Sequence, residues 1–167
     1  QSAAGKTIMT TEPKFVPNNT AKIKLDDITC NIKLIDCVGY MIEKAIGATD
    51  ENGPRMVKTP WYNEEIPFTE AAEIGTEKVI KEHSTIGIVI TTDGSIGEFE
   101  RSDYEESEDR VISELKELKK PFIVLLNSTH PMLPDTIRLS ESIREKYNVP
   151  VMPISIETMS EHDMYDI

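Results

Sequence analysis

Two apolar runs constrain this chain most: Ile86-Gly87-Ile88-Val89-Ile90-Thr91-Thr92 and Phe122-Ile123-Val124-Leu125-Leu126-Asn127. Each is too short for a buried helix and lacks the alternation of a strand with one wet face. Near-continuous apolar strands of this length belong to parallel sheets covered on both faces. Parallel neighbours need a crossover, and the sequence between the runs supplies one. A helix is predicted from about Ser102 to Lys119, with Ser102 as N-cap and Glu105 as its capping-box partner. Tyr104, Val111, Ile112, Leu115 and Leu118 form its apolar stripe, its acidic first turn suits the helix dipole, and the run Glu105-Glu106-Ser107-Glu108-Asp109 reads as a solvated face. A third helix is predicted from about Pro134 to Tyr147, and a last strand from Val149 to Ile156. A further helix should begin after Glu157.

The first half differs in character. Glu12 to Pro17 reads as extended, and Ala21 to Asp26 alternates apolar and polar, as does the run from Ile32. A polar turn at Asp26-Asp27 joins them into a hairpin whose second strand ends at Asp36. Residues 40 to 67 read as a long irregular loop around Trp61, broken by Gly53-Pro54 and Thr59-Pro60. A helix then runs from Phe68 to about His83, with His83 in its last turn facing the helix dipole. The order hairpin, helix, strand, helix, strand, helix, strand implies an α/β fold. Its sheet is mostly parallel with one antiparallel hairpin strand and helices on both faces. The length of 167 residues is one domain's worth of chain, residues 1–167. The chain begins at Gln1 in the middle of polar sequence, as a fragment would.

A net charge of −12 argues against an extended nucleic-acid surface, though backbone N–H groups and a metal still suffice for a small anion. Two cysteines, Cys30 and Cys37, outside any CxxC pair, suit reduced thiols in a cytoplasmic protein. No apolar run approaches the length of a transmembrane helix, and no signal peptide is recognisable.

Asp36-Cys37-Val38-Gly39 is the chemical feature of the hairpin. A carboxylate at the end of a strand can hold Mg²⁺ through water, and a glycine three residues on lets the backbone approach a phosphate. Gly5-Lys6-Thr7 resembles the end of a phosphate loop. The extended Thr10-Thr11-Glu12-Pro13 leaves no room for the helix such a loop must open.

Four segments then fall at spacings that resemble a P-loop NTPase of the Ras-like GTPase class. Thr10-Thr11 resembles its switch threonine, Asp36 to Gly39 its Walker B and switch II element, Asn127-Ser128-Thr129-His130 its base-reading loop, and Ser155 its last base-side contact. Guanine readers of that class carry Lys and Asp where this chain has Ser128 and His130. A neutral histidine has one acceptor nitrogen and cannot replace paired carboxylate oxygens, which argues against guanine. Tyr40 stands where many members have a water-orienting glutamine, leaving Thr10 and Thr11 as candidates for that task.

The wording of Gln1 to Pro17, Asp50-Glu51-Asn52-Gly53-Pro54-Arg55-Met56, Thr59-Pro60-Trp61-Tyr62, Glu70 to Thr76 and Thr91-Thr92-Asp93-Gly94 resembles a narrower group. It is similar to the spore-coat morphogenetic ATPases of the stage IV sporulation protein A family. That resemblance implies ATP as substrate and Mg²⁺ as cofactor. It also implies hydrolysis-driven polymerisation of the coat basement layer, in the mother-cell cytoplasm at the forespore surface. Other coat proteins and a forespore-membrane anchor protein are the implied partners. By the same resemblance Thr10, Thr11 and Asp36 are catalytic and hold the metal, while Gly39, Asn127, Ser128 and Ser155 bind the nucleotide. The first strand and Walker A loop are expected upstream, and assembly domains downstream, so the ATPase activity is expected of the intact protein and not of this fragment alone. Two alternatives stay open: a polymerisation module shaped by nucleotide without turnover, and a phosphoacceptor receiver using Asp36. The antiparallel hairpin speaks against the receiver.

Overall fold

The computed structural model describes residues 13–25, 27–42, 44–45, 48–50 and 53–167. These fall into two compact units, one with residues 13–41 and 48–84, the other with 42–45 and 85–167.

The first unit is built on the expected hairpin. Strands β1 (Lys14–Leu25) and β2 (Ile28–Asp36) pair antiparallel, with Lys14 opposite Asp36 and Leu25 opposite Ile28. The register slips between Val16 and Ala21, the stretch containing Pro17, which has no N–H to give a ladder. The sequence between the hairpin and the first helix is more ordered than a loop. Short ladders join β3 (Thr49–Asp50) to β4 (Gly53–Pro54), and β5 (Met56–Val57) to β6 (Ile66–Pro67). Helix α1 (Phe68–Lys78) continues into a π-helical turn, Val79–His83, so helical structure ends at His83 as predicted. Phe68, Ala71 and Ala72 are buried, and the Arg55 guanidinium lies 4.6 Å from the Phe68 ring centre. Lys78 Nζ lies 5.9 Å from the ring centre of Trp61, a cation over an aromatic face. His83 is exposed and meets Phe15 edge to face.

The second unit holds the parallel sheet. Strands β7 (Gly87–Thr92), β8 (Phe122–Asn127) and β9 (Val151–Ile154) lie in the order β7-β8-β9, all parallel, with Thr92 level with Asn127 and Asn127 level with Ile154. Helix α2 (Glu105–Glu117) links β7 to β8, and α3 (Pro134–Tyr147) links β8 to β9. Asn148 ends α3 in the left-handed conformation, φ 52°. A short helix, α4 (Glu161–Asp166), follows, capped reciprocally by Ser160 and Asp163.

Four expectations need correction. The hairpin is a separate two-stranded sheet and does not extend the parallel one among the described residues. The strands between them in sequence are only two residues long and pair with one another, so none bridges the two ladders. The crossover helices α2 and α3 do not lie on opposite faces. Strand order advances in one direction, and right-handed crossovers then put both helices on the same face. They touch: Lys116 Nζ donates to the Tyr147 carbonyl at 2.8 Å, the Tyr147 hydroxyl donates to Asp109, and Lys146 pairs with Asp109 at 3.0 Å. The other face of β7 carries Ile86, Ile88 and Ile90, which are 66%, 44% and 61% exposed.

The start of α2 is the third. Arg101–Tyr104 forms a 3₁₀ turn capped by Glu100 and Asp103, two residues ahead of the predicted box at Ser102 and Glu105. Nor is the acidic run wholly solvated. Glu108 is 4% exposed and accepts both ends of the Arg101 guanidinium, at 2.7 Å each. An α-helix brings every third or fourth residue to the same face, so Glu108 falls on the stripe of Ile112 and Leu115.

Candidate functional site

In the hairpin unit, β2 delivers Asp36 exposed at its carboxyl end. Three residues on, Gly39 has φ +79°, a conformation that side-chain-bearing residues rarely adopt, and a Cβ there would meet nothing within 4 Å. No described residue therefore fills the space in front of that backbone. Cys37 lies between them. Burial pushes its thiol up, and the Gly39 N–H beside it only partly counters this. The neighbouring Asp36 charge pushes the same way as burial. The thiol thus stays protonated and is a weak nucleophile. Among the described residues no group of three or more His, Cys, Asp or Glu is placed to hold a metal ion. A lone exposed carboxylate still fits Mg²⁺, which keeps several waters and needs only one or two carboxylates beside a phosphate. Thr10 and Thr11 lie outside the described residues.

In the parallel-sheet unit, the carboxyl ends of β7, β8 and β9 come together, where open α/β sheets take their ligands. Asn127 Oδ1 accepts the Ile156 N–H at 3.0 Å, tying the end of β8 to the turn that opens after Ser155. Ser155 is half-buried, and its carbonyl accepts the Thr158 N–H at 3.2 Å. The Ser128 N–H donates to the Ile154 carbonyl at 2.9 Å, and its hydroxyl accepts the His130 N–H at 3.0 Å. Ser128 is 0% exposed, so its side chain supports the loop and offers a ligand no surface in this conformation. Thr129 and His130 face outward, with Thr129 Oγ1 2.9 Å from His130 Nδ1. Sequence reasoning thus placed Asn127, Ser128 and Ser155 at one end of one sheet, while Asp36 and Gly39 belong to the other unit.

Sequence reasoning missed Asp93, which follows β7. Its Oδ1 accepts the Ser95 N–H at 2.9 Å and the Ser95 hydroxyl at 2.6 Å, and its Oδ2 accepts the Thr136 hydroxyl at 3.2 Å. The buried Ser128 hydroxyl bonds to it as well. Burial pushes this carboxyl up, but the hydrogen bonds from Ser128, Ser95 and Thr136 outweigh it and leave the group below its ordinary value. The signal was present in part: Thr91-Thr92-Asp93-Gly94 was visible as a strand end. Its partners, up to 43 positions away, were not.

The family model described as "Stage IV sporulation protein A, ATPase domain" matches residues 1–167. The chain is 60% identical over 168 aligned residues to the stage IV sporulation protein A of Bacillus anthracis and to that of Bacillus subtilis strain 168. It is 50% identical over 168 to that of Clostridioides difficile strain 630. Each alignment covers 100% of this chain and 34% of the relative, so the chain spans about a third of their length. No solved structure matches. With its whole length inside that match, the chain belongs to the stage IV sporulation protein A family, by its ATPase domain.

Proposed function

We propose that the intact protein binds and hydrolyses ATP with Mg²⁺ on a P-loop NTPase framework of the Ras-like class, with this chain supplying part of the nucleotide site. Hydrolysis then drives polymerisation into the basement layer of the spore coat. The observation that carries this reading is the ATPase-domain match over residues 1–167. In this reading the polymer forms in the mother-cell cytoplasm at the forespore surface, with other coat proteins and a forespore-membrane anchor as partners. No described helix is long and apolar enough to cross a membrane, and such an anchor would supply the attachment.

Each residue has a part in this scheme. Mg²⁺ supplies charge neutralisation on the phosphates when bound. Asp36 would hold the metal, and its exposure suits that task. Thr10 and Thr11 would help hold the metal and sense the terminal phosphate. The Gly39 N–H donates to that phosphate, trading its Cys37 contact for a stronger acceptor. Asn127, Ser155 and the loop held by Ser128 form the base side. Among the described residues the outer edge of β7 is unpaired, and with Ile88 and Ile90 exposed beside it that edge suits a further parallel strand. Such a strand would bring a phosphate loop to the sheet's carboxyl edge.

The exposed Ile86, Ile88 and Ile90 also favour a second reading, a polymerisation module whose nucleotide sets shape without turnover. Phosphate release by the intact protein separates the two, measured with ATP and GTP beside Asp36→Ala. ATP turnover that collapses in Asp36→Ala is the expected result. Normal assembly by Asp36→Ala, with no turnover in either protein, overturns the hydrolytic reading and leaves the module.

A further inference from the structure

We propose that Asp93 is the positioning residue of the 127–130 loop and sets the preference of that loop among nucleobases; this rests on the base-side reading above. The bonds run outward from Asp93. Ser95, held by Asp93 through both its N–H and its hydroxyl, accepts the Thr129 N–H at 2.9 Å. Ser128, also bonded to Asp93, accepts the His130 N–H at 3.0 Å. The Thr136 hydroxyl, in the first turn of α3, is shared between Asp93 Oδ2 and the His130 carbonyl, both at 3.2 Å. The two exposed residues of the loop, Thr129 and His130, are therefore fixed through single hydroxyl intermediates that all start at one carboxylate.

A carboxylate offers about four acceptor sites. Here the Ser95 N–H, the Ser95 hydroxyl, the Thr136 hydroxyl and the Ser128 hydroxyl fill them. These bonds commit the carboxylate to its neighbours, so Asp93 acts through the loop and not on the nucleotide. Without the carboxylate, Ser95 and Ser128 lose the acceptor that orients them, and the Thr129 and His130 amides lose fixed partners. The pocket edge then samples several conformations, and affinity falls by the fraction of time it spends in the competent one. Asparagine keeps one acceptor oxygen, and hydroxyls can turn to accept from its amide, so Asp93→Asn should largely rescue the loop.

The test is calorimetric binding of Mg·ATP and Mg·GTP to the intact protein, wild type, Asp93→Ala and Asp93→Asn, with thermal unfolding in parallel. Asp93→Ala is expected to weaken ATP by about tenfold, the cost of roughly one to two lost hydrogen bonds, and to shrink the ATP-to-GTP preference. Asp93→Asn should change either by less than about threefold. Asp93→Ala with a lowered unfolding temperature but unchanged affinity and preference would mean a merely structural residue and overturn the inference. Should Asp93→Ala fail to fold, Ser95→Ala carries the test. It releases only the Thr129 anchor, and unchanged affinity and preference there overturn the inference equally. A wild-type protein that binds neither nucleotide overturns the nucleotide reading itself, and this inference with it.

Discussion

The Arg101–Glu108 pair gives the sharpest test of how the parallel-sheet unit is held together. Glu108 has a side chain 1% exposed, and Arg101 meets it with both terminal nitrogens while also donating to Thr91 Oγ1 at 3.0 Å. Burial works against the guanidinium charge, but Glu108 more than offsets it, leaving Arg101 more firmly protonated than in water. Arg101→Met keeps much of the aliphatic packing and removes the cation. The stranded carboxylate can stay ionised, at about 3–5 kcal/mol for breaking a buried pair from one side. It can instead take up a proton. For an ordinary glutamate, with a reference value near 4.3, that costs about 3.7 kcal/mol at pH 7 and about 1 kcal/mol at pH 5. The cheaper route sets the ceiling, so the loss must shrink as pH falls. Native-state hydrogen exchange of the Val124, Leu125 and Leu126 amides in the intact protein reads the stability of this unit. After correction for intrinsic rates, exchange through unfolding of the unit should speed up by up to about 100-fold more at pH 7 than at pH 5, the ratio set by the cost of the proton. Arg101→Met/Glu108→Gln should lose that pH dependence. Unchanged exchange at pH 7, or equal acceleration at both pH values, would refute the claim that Glu108 depends on Arg101 for its charge.

Two further predictions follow from the loop that Arg101 anchors. Gly94 has φ +89°, and a Cβ there would lie 2.9 Å from the Arg101 backbone nitrogen, so Gly94→Ala combines backbone strain with a clash against main chain. It should destabilise the unit by about 1–3 kcal/mol or more, read by the same exchange experiment; an effect within about 0.5 kcal/mol, the range of an ordinary surface change, would contradict this. The second concerns acid. Asp109 lies below its ordinary value through the Tyr147 hydroxyl first and Lys146 next, and Asp93 lies below its own through the hydrogen bonds that outweigh its burial. A depressed folded value means the unfolded chain binds the proton more tightly. The stability these groups contribute is therefore present above about pH 4 and lost as pH falls through the lower folded values. Unfolding midpoints between about pH 5 and pH 2 should fall less steeply in Asp93→Asn than in wild type, and parallel slopes would count against the assignment.

What the sequence yielded and what it withheld divide along a physical line. Features set by neighbours in the chain were legible. The apolar run at residues 122–127 is β8 to the residue, Pro134 opens α3 where a proline suits the first turn, and the Ala21–Asp36 alternation is a hairpin. Features set by residues that meet only after folding were not. Glu108 looked like one of several acidic residues in a first turn, because nothing local marks the one position whose helical phase points it inward beside an arginine seven residues earlier. The cap at Glu100 was missed for a related reason. Ser102 and Glu105 have the right spacing and chemistry, and only the turn that seats Arg101 against Thr91 moves the start of the helix forward. Asp93 is the extreme case, since its partners come from three segments following β7, following β8 and opening α3. The same line runs through the candidate site. Motif reading put Asn127 at the end of β8 because its position follows from the strand that carries it. It could not find the carboxylate that holds the loop beyond Asn127 in shape, because that role exists only in the assembled end of the sheet. Residues of the second kind are where substitutions should alter selectivity without touching the ligand, and Asp93 is the one to change first.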